Sequence, residues 1–152
     1  MDFEELIARE LVRDRYAQYN RSGDKGRLDE LAACFTEDGV MELRNSFVAS
    51  GRTGIIDALT RTSKQLVAHA ATRESFGRNI IRHHVASLRF ASMTPVRIES
   101  SAYFVAFQSD AADHWGTYRD VLVKVDNDWL FESRLVLVEG ARQGSLAESL
   151  KL

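Results

Sequence analysis

The spacing of apolar residues changes once along this chain, and this change restricts the fold more than any other feature. Over residues 3–20 and 53–70, apolar side chains recur every three to four positions, which is the period of a helix that buries one face. From residue 79 the period approaches two, and β-branched and aromatic residues become frequent, which is typical of strands. Helices followed by a series of strands predict an α+β fold, in which helices cover one face of a curved antiparallel sheet.

The shorter segments complete this prediction. The polar stretch "NRSGDKG" ends the first helix, and a second helical period follows over residues 28–35. One domain is expected over residues 1–140, followed by a polar tail at 141–152 that frays or packs on a partner. Short strands are expected at 40–43 and 45–50, and four longer ones at 79–90, 95–109, 114–125 and 129–139, the last two joined by the turn "VDNDW".

Charge and cysteine content restrict the function. The 152 residues carry a formal net charge of -2, which predicts neither a nucleic-acid partner nor an anionic membrane surface. No apolar run approaches the roughly 20 residues that span a bilayer. The acidic, amphipathic N-terminus does not resemble a secretion signal. Cys34 is the single cysteine, so an internal disulfide is impossible and a cytoplasmic location is expected.

Searches for well-defined catalytic motifs find none. The chain lacks the glycine-rich loops of nucleotide-binding proteins, the paired cysteines and H-E-x-x-H of zinc sites, and the G-x-S-x-G of serine hydrolases. The spacing of its histidines and carboxylates specifies no metal site. We therefore expect neither a metal nor a cofactor, and Cys34 is expected to be a buried, inert thiol.

The stretch "RHHVASLRF" places His83 and His84 next to each other on a predicted strand. Neighbouring strand residues point to opposite faces, so at most one of the two faces a given cavity. Neither face of this strand is cleanly apolar, so alternation leaves the choice open. Asp24, in the turn after the first helix, is open to two interpretations as well: a general base in a cavity, or a cap for the next helix.

Four segments in order resemble the SnoaL-like domain family: "YNRSGDKGRLDELAACF", "CFTEDGVMEL", "RHHVASLRF" and "DHWGTYRDVLVKVDNDWLFESR". This family belongs to the nuclear-transport-factor-two-like superfamily, which includes scytalone dehydratase, bile-acid dehydratases and polyketide cyclases. The resemblance runs from about residue 5 to residue 139. It implies a cone-shaped α+β barrel, in which a strongly bent sheet wraps around helices and encloses a deep, mostly apolar pocket. It also implies a homodimer or trimer formed through the sheet.

The resemblance further implies an active site. Tyr19, Asp24 and His83 match the tyrosine, aspartate and histidine of the dehydratase-like members, so His84 is expected on the opposite face. Asp24 and His83 would form an acid/base dyad that needs no cofactor, and Tyr19 would stabilise an enolate. The second histidine of scytalone dehydratase has no counterpart on the neighbouring strand. His114 is expected in the following turn, and the sequence leaves open whether it reaches the cavity.

The expected ligand is a small hydrophobic metabolite that contains a ring, and the expected reaction is a dehydration, isomerisation or cyclisation. The alternative is a non-catalytic module that binds a small molecule, or one that docks a partner as the small subunits of ring-hydroxylating dioxygenases do, because the fold alone does not establish an activity. The residues expected to contact the ligand are Met41, Phe47, Tyr103, Val105, Trp115, Tyr118 and Phe131.

Overall fold

A computed structural model of the protein describes residues 1–70, 81–108 and 111–149. The first residues of one predicted strand, 79 and 80, and the last of the next, 109, therefore lie outside the described residues. The helices are α1 (Phe3–Asp24), α2 (Leu28–Ala32), α3 (Gly51–Ala70) and α4 (Leu146–Ser149). The strands are β1 (Phe35–Leu43), β2 (Phe47–Ser50), β3 (Arg82–Met93), β4 (Arg97–Phe107), β5 (Ala112–Val125) and β6 (Asp128–Ala141).

Within the described residues, the strands form one open six-stranded sheet in the order β2-β1-β6-β5-β4-β3. β1 and β6 are parallel, and all other neighbours are antiparallel. Irregularities interrupt the register of β3, β4, β5 and β6, and such bulges bend and twist a sheet. α1 packs on β3 and β6, and α3 packs on β1. We call the face under these helices the inner face. The predicted α+β fold with a curved sheet is confirmed.

α1 is longer than the sequence predicts. It starts after Asp2, whose carboxylate accepts a hydrogen bond of 2.8 Å from the backbone N–H of Glu5. It then continues through "NRSGD" and ends at Asp24. Gly26 follows with φ of 68°, a conformation that glycine adopts at little cost. Asp24 consequently belongs to the last turn of a helix, which holds its position more firmly than a loop does.

α2 is shorter than the sequence predicts, because strand pairing replaces its last turn. The backbone N–H of Phe131 donates to the carbonyl oxygen of Cys34 over 2.9 Å, and Phe35 lies in parallel register with Phe131. "TEDG", expected to be a turn, is therefore part of β1. Cys34 itself is fully buried, and burial raises the pKa of its thiol.

The described part of the C-terminal segment packs on the domain. α4 contacts α3 and β5, and Ala147 and Ser145 are buried. Ser145 and Ala147, in the segment described from sequence as a polar tail, therefore pack against the domain. In the described ranges, no helix combines the length and the apolar character that a membrane crossing requires.

Candidate functional site

A cavity of about 290 Å³ lies between the helices and the inner face of the sheet. This volume is near the lower end of the range for small-molecule sites, about 300–1,000 Å³. The walls are mainly apolar and include Leu31, Met41, Leu59, Ile81, Phe104 and Val136. The polar groups on the walls include Tyr19, Asn20, His83, Asp113, His114 and Tyr118.

His83 is held against Asp24 by two hydrogen bonds. Asp24 Oδ1 lies 2.6 Å from His83 Nδ1, and Asp24 Oδ2 accepts from the backbone N–H of His83 over 3.0 Å. The aspartate side chain is 7% exposed and the histidine side chain 22%. A carboxylate on Nδ1 selects the tautomer with its proton on Nδ1 and leaves the lone pair of Nε2 for a ligand. The structure therefore brings these two residues, far apart in sequence, into one arrangement suited to proton transfer.

His84 lies on the outer face of the sheet. It is exposed, and its ring contacts Phe107 at a centroid distance of 5.2 Å. The alternation of β3 thus separates the two neighbouring histidines: His83 borders the cavity and His84 does not.

A second pair of a histidine and an aspartate borders the same cavity, so the structure answers the question that the sequence left open about His114. His114 belongs to β5, and its Nδ1 lies 2.9 Å from Oδ2 of the fully buried Asp113. The rings of His83 and His114 are 5.9 Å apart between centroids. The sequence segment "ADHWG" does place an aspartate next to a histidine, but the local pattern does not reveal the bulge that directs both inward.

Three polar side chains of the wall lie on α1 or bond to it: Tyr19 and Asn20 belong to α1, and Tyr118 belongs to β5. The Tyr118 hydroxyl donates to Asn20 Oδ1 over 3.1 Å, and Asn20 Nδ2 donates to the Tyr16 carbonyl. The Tyr19 hydroxyl lies 3.8 Å from Met41 Sδ, a weak acceptor. Burial raises the pKa of Tyr19 and raises that of Tyr118 far above its usual value. Both phenols therefore stay neutral and keep a proton to donate.

A buried ion pair that the sequence analysis missed lies behind these tyrosines. Arg134 Nε and Nη2 donate to the two carboxylate oxygens of Asp120 over 2.8 and 2.7 Å. The guanidinium carbon lies 4.1 Å from the ring centroid of Tyr19 and 4.2 Å from that of Tyr118. Arg134 Nη1 is buried with no hydrogen-bond partner among the described residues. The two residues are 14 positions apart and pair only because β5 and β6 are neighbours.

The predicted contact residues separate into three groups. Met41 and Tyr118 line the cavity. Phe47 is half-buried, and Phe131 is fully buried in the core against Tyr16. Tyr103, Val105 and Trp115 lie outside the cavity lining, because the alternation of β4 and the pairing of Val105 with Trp115 put them on the outer face.

The arrangement suits proton transfer to and from an apolar ligand. Two imidazoles, each oriented by its own carboxylate, border one cavity, and neutral phenols lie beside them. In residues 1–70, 81–108 and 111–149, no group of three or more histidine, cysteine, aspartate or glutamate side chains is arranged to hold a metal ion.

Several solved structures share the fold. A candidate scytalone dehydratase from Novosphingobium aromaticivorans is 22% identical, with 93% of this chain and 91% of that chain covered and a TM-score of 0.73. A hexachlorocyclohexane dehydrochlorinase, LinA type 2, is 14% identical, with 93% and 92% covered and a TM-score of 0.73. The β subunit of a candidate aromatic-ring-hydroxylating dioxygenase from Novosphingobium aromaticivorans is 17% identical, with 91% and 93% covered and a TM-score of 0.68.

The match to a sequence family covers most of the chain. No curated protein matches the sequence. The model of the SnoaL-like domain matches residues 4–135, which includes α1 to α3 and most of the sheet. The protein therefore belongs to the SnoaL-like domain family.

Proposed function

We propose that the protein is a cofactor-independent acid/base enzyme of the dehydratase, isomerase or cyclase type, acting on a small, mainly apolar metabolite that contains a ring. One observation carries the proposal: His83, fixed by Asp24 through Nδ1, borders an apolar cavity of about 290 Å³. A base that is oriented in this way abstracts a proton from a ligand in the cavity. The similarity in fold to a candidate dehydratase and to a dehydrochlorinase supports the same class of reaction.

The proposed reaction begins at His83. Its Nε2 takes a proton from a carbon next to a carbonyl group, and the C–H electron pair moves into the carbonyl to form an enolate. Asp24 stabilises the imidazolium that forms, as a carboxylate on Nδ1 does in other acid/base enzymes. The enolate then expels a leaving group, takes a proton at another carbon or attacks a second carbonyl, which gives dehydration, isomerisation or cyclisation.

Tyr19 and Tyr118 are proposed to donate hydrogen bonds to the enolate oxygen. Both line the cavity, and burial keeps both phenols neutral. Among the described residues the Tyr19 hydroxyl has a thioether at 3.8 Å as its acceptor, and a ligand oxygen would offer it a stronger partner. Arg134, stacked behind both rings, adds a positive field at the place where negative charge develops.

The test combines a ligand screen with two substitutions. Steroids and aromatic polyketides are screened by thermal shift, since a ligand of the folded state raises the Tm. Asp24→Asn and His83→Ala are expected to lower turnover of the ligands that bind by at least about 10²-fold. His84→Ala, on the outer face, serves as the matched control. Full turnover in both Asp24→Asn and His83→Ala would contradict the proposal.

The second candidate is a non-catalytic module that binds a small molecule or docks a partner, as in a dioxygenase small subunit. The similarity in fold to a dioxygenase β subunit favours it, as do the exposed aromatic side chains of Tyr103, Phe107 and Trp115 on β4 and β5. In this case the Tm would rise with a ligand that remains chemically unchanged, whether or not Asp24 and His83 are present.

We also propose a homodimer or trimer that forms through the outer face of the sheet. Apolar side chains on this face, Tyr103 and Trp115 among them, are 61% and 43% exposed, and the helices pack on the opposite face. Exposed apolar patches of this kind mark interfaces.

We also propose that the protein is located in the cytoplasm. The lone, buried Cys34 is compatible with a reducing compartment.

A further inference from the structure

We propose that His114, oriented by Asp113, is a second catalytic residue that gives a proton to the leaving oxygen while His83 removes the proton from carbon. This inference rests on the proposed function and makes it more specific. It selects elimination of water from a β-hydroxy carbonyl compound as the reaction, with the departing hydrogen and hydroxyl on one face of the substrate.

A β-bulge gives His114 its position. In the pairing of β4 with β5, Phe107 lies opposite Ala112 and Ala106 lies opposite His114, so Asp113 is an extra residue in β5. An extra residue breaks the alternation of a strand and allows two consecutive side chains to point to the same side. Asp113 and His114 consequently both line the cavity, although they are neighbours in sequence.

The sheet register brings the two histidines together. His83 on β3 lies opposite Ala106 on β4, and Ala106 lies opposite His114 on β5. The three residues form one row across the inner face, and the small side chain in its middle leaves room for the two rings to approach to 5.9 Å. Phe104 contacts both imidazoles, at 6.0 and 5.8 Å between centroids.

Each imidazole has its own carboxylate, which makes the row suitable for separate roles. Asp113 lies within hydrogen-bond distance of His114 Nδ1 and accepts from the backbone N–H of Ala147 in α4 over 3.3 Å. Nε2 of His114 therefore remains for a ligand, as it does in His83. In the proposed starting state one ring is protonated and the other is neutral, as an acid and a base require.

The step balances without any other reactant. Neutral His83 takes the proton from carbon, the C–H electron pair forms the new double bond, and the C–O electron pair leaves with the oxygen. Protonated His114 gives its proton to this oxygen, and water departs. His83 is then protonated and His114 neutral, and transfer of one proton between them, directly or through water, restores the starting state.

Two model substrates distinguish the role of the base, His83, from that of the acid, His114. Neither experiment requires the natural substrate to be known. In 1,2-benzisoxazole, a base removes the proton on carbon 3, the C–H electron pair completes a nitrile, and the N–O bond breaks with its electron pair on oxygen, so the ring opens to a 2-cyanophenolate. In 5-nitro-1,2-benzisoxazole, the nitro group stabilises the phenolate, so protonation of the leaving oxygen matters less. A proton donor therefore accelerates the first probe more than the second.

The variants are chosen to preserve the fold. His114→Asn keeps an amide near the position of Nδ1 for Asp113 and lacks Nε2, while His84→Asn makes the same change on the outer face. We expect His114→Asn to slow the unsubstituted probe by about 10²-fold and the nitro probe by less than about 10-fold. His83→Ala is expected to abolish both reactions and His84→Asn to change neither, with circular dichroism and Tm confirming that each variant folds.

The outcomes distinguish the two proposals. Equal slowing of both probes by His114→Asn, or no slowing, would overturn the role of His114 while leaving that of His83 intact. A wild-type rate on both probes no higher than that of His83→Ala would contradict the proposed acid/base function, and the inference about His114 with it.

Discussion

At the scale of single residues, the aromatic cluster around Arg134 explains how a charged group is tolerated in the core. The guanidinium has a bidentate partner in Asp120 and stacks on the faces of four aromatic rings, Tyr16, Tyr19, Tyr118 and Phe131. A buried charge without such partners costs several kcal/mol. The same cluster forms the floor behind the cavity, so a structural ion pair and the proposed oxyanion site share their tyrosines.

The buried tyrosines predict a loss of stability in alkali. Burial raises the pKa values of Tyr16, Tyr19 and Tyr118. The contribution of these tyrosines to the free energy of unfolding is fully present below the pKa of an unfolded tyrosine, about 10. It is lost as the pH rises above this value, because the tyrosines then ionise in the unfolded chain and not in the folded one. We expect the free energy of unfolding to fall by about 1.4 kcal/mol per pH unit for each of the three tyrosines.

Urea denaturation between pH 9 and 11 measures this change, and absorbance at 295 nm follows ionisation in the folded protein. At pH 11 fewer of the tyrosines should be ionised before urea is added than after the chain has unfolded, because burial raises the pKa values of Tyr16, Tyr19 and Tyr118. A free energy of unfolding that does not change over this interval would show that the tyrosines are not buried as described.

At the scale of elements, the close contact of β5 with β6 depends on Gly116. A Cβ atom added to this residue would lie 1.8 Å from the carbonyl oxygen of Leu137, which is backbone and cannot rotate away. The site lies beside an irregularity in the pairing, between Trp115 and Gly116. The contact matters for the cavity, because Tyr118 follows two residues later on the same strand and lines the wall.

Gly116→Ala is therefore expected to destabilise the protein by about 1–3 kcal/mol, the usual cost of overpacking a core. Gly54 offers a matched control, since a Cβ at this position in α3 meets nothing within 4 Å. Gly54→Ala is expected to be neutral or to stabilise the helix by up to about 1 kcal/mol. Chemical denaturation measures both, and equal effects of the two substitutions would contradict the proposed role of the glycine in β5.

At the scale of the whole molecule, the uncovered outer face decides the predicted assembly. Helices cover the inner face, while Tyr103 and Trp115 on the other side remain exposed. Sedimentation is expected to show a dimer or trimer at micromolar concentration. A double substitution, Tyr103→Glu with Trp115→Glu, should give a folded monomer, because burying two carboxylates in an apolar interface is costly.

Val96, 64% exposed in the turn between β3 and β4, provides the control. Val96→Glu adds a comparable charge away from the outer face and should leave the assembly unchanged. A wild-type protein that sediments as a monomer would refute this interface.

Local pattern was sufficient to predict the fold class and the opposite directions of His83 and His84, because hydrophobic period and strand alternation are properties of neighbouring residues. The family came from the resemblance of four sequence segments. The same resemblance brought Tyr19, Asp24 and His83 together as candidates. Only the tertiary structure decided the rest. The end of α2 depends on a parallel pairing with β6, and the inward position of His114 depends on a bulge against β4. Both depend on hydrogen bonds between distant segments, and no local period records such bonds.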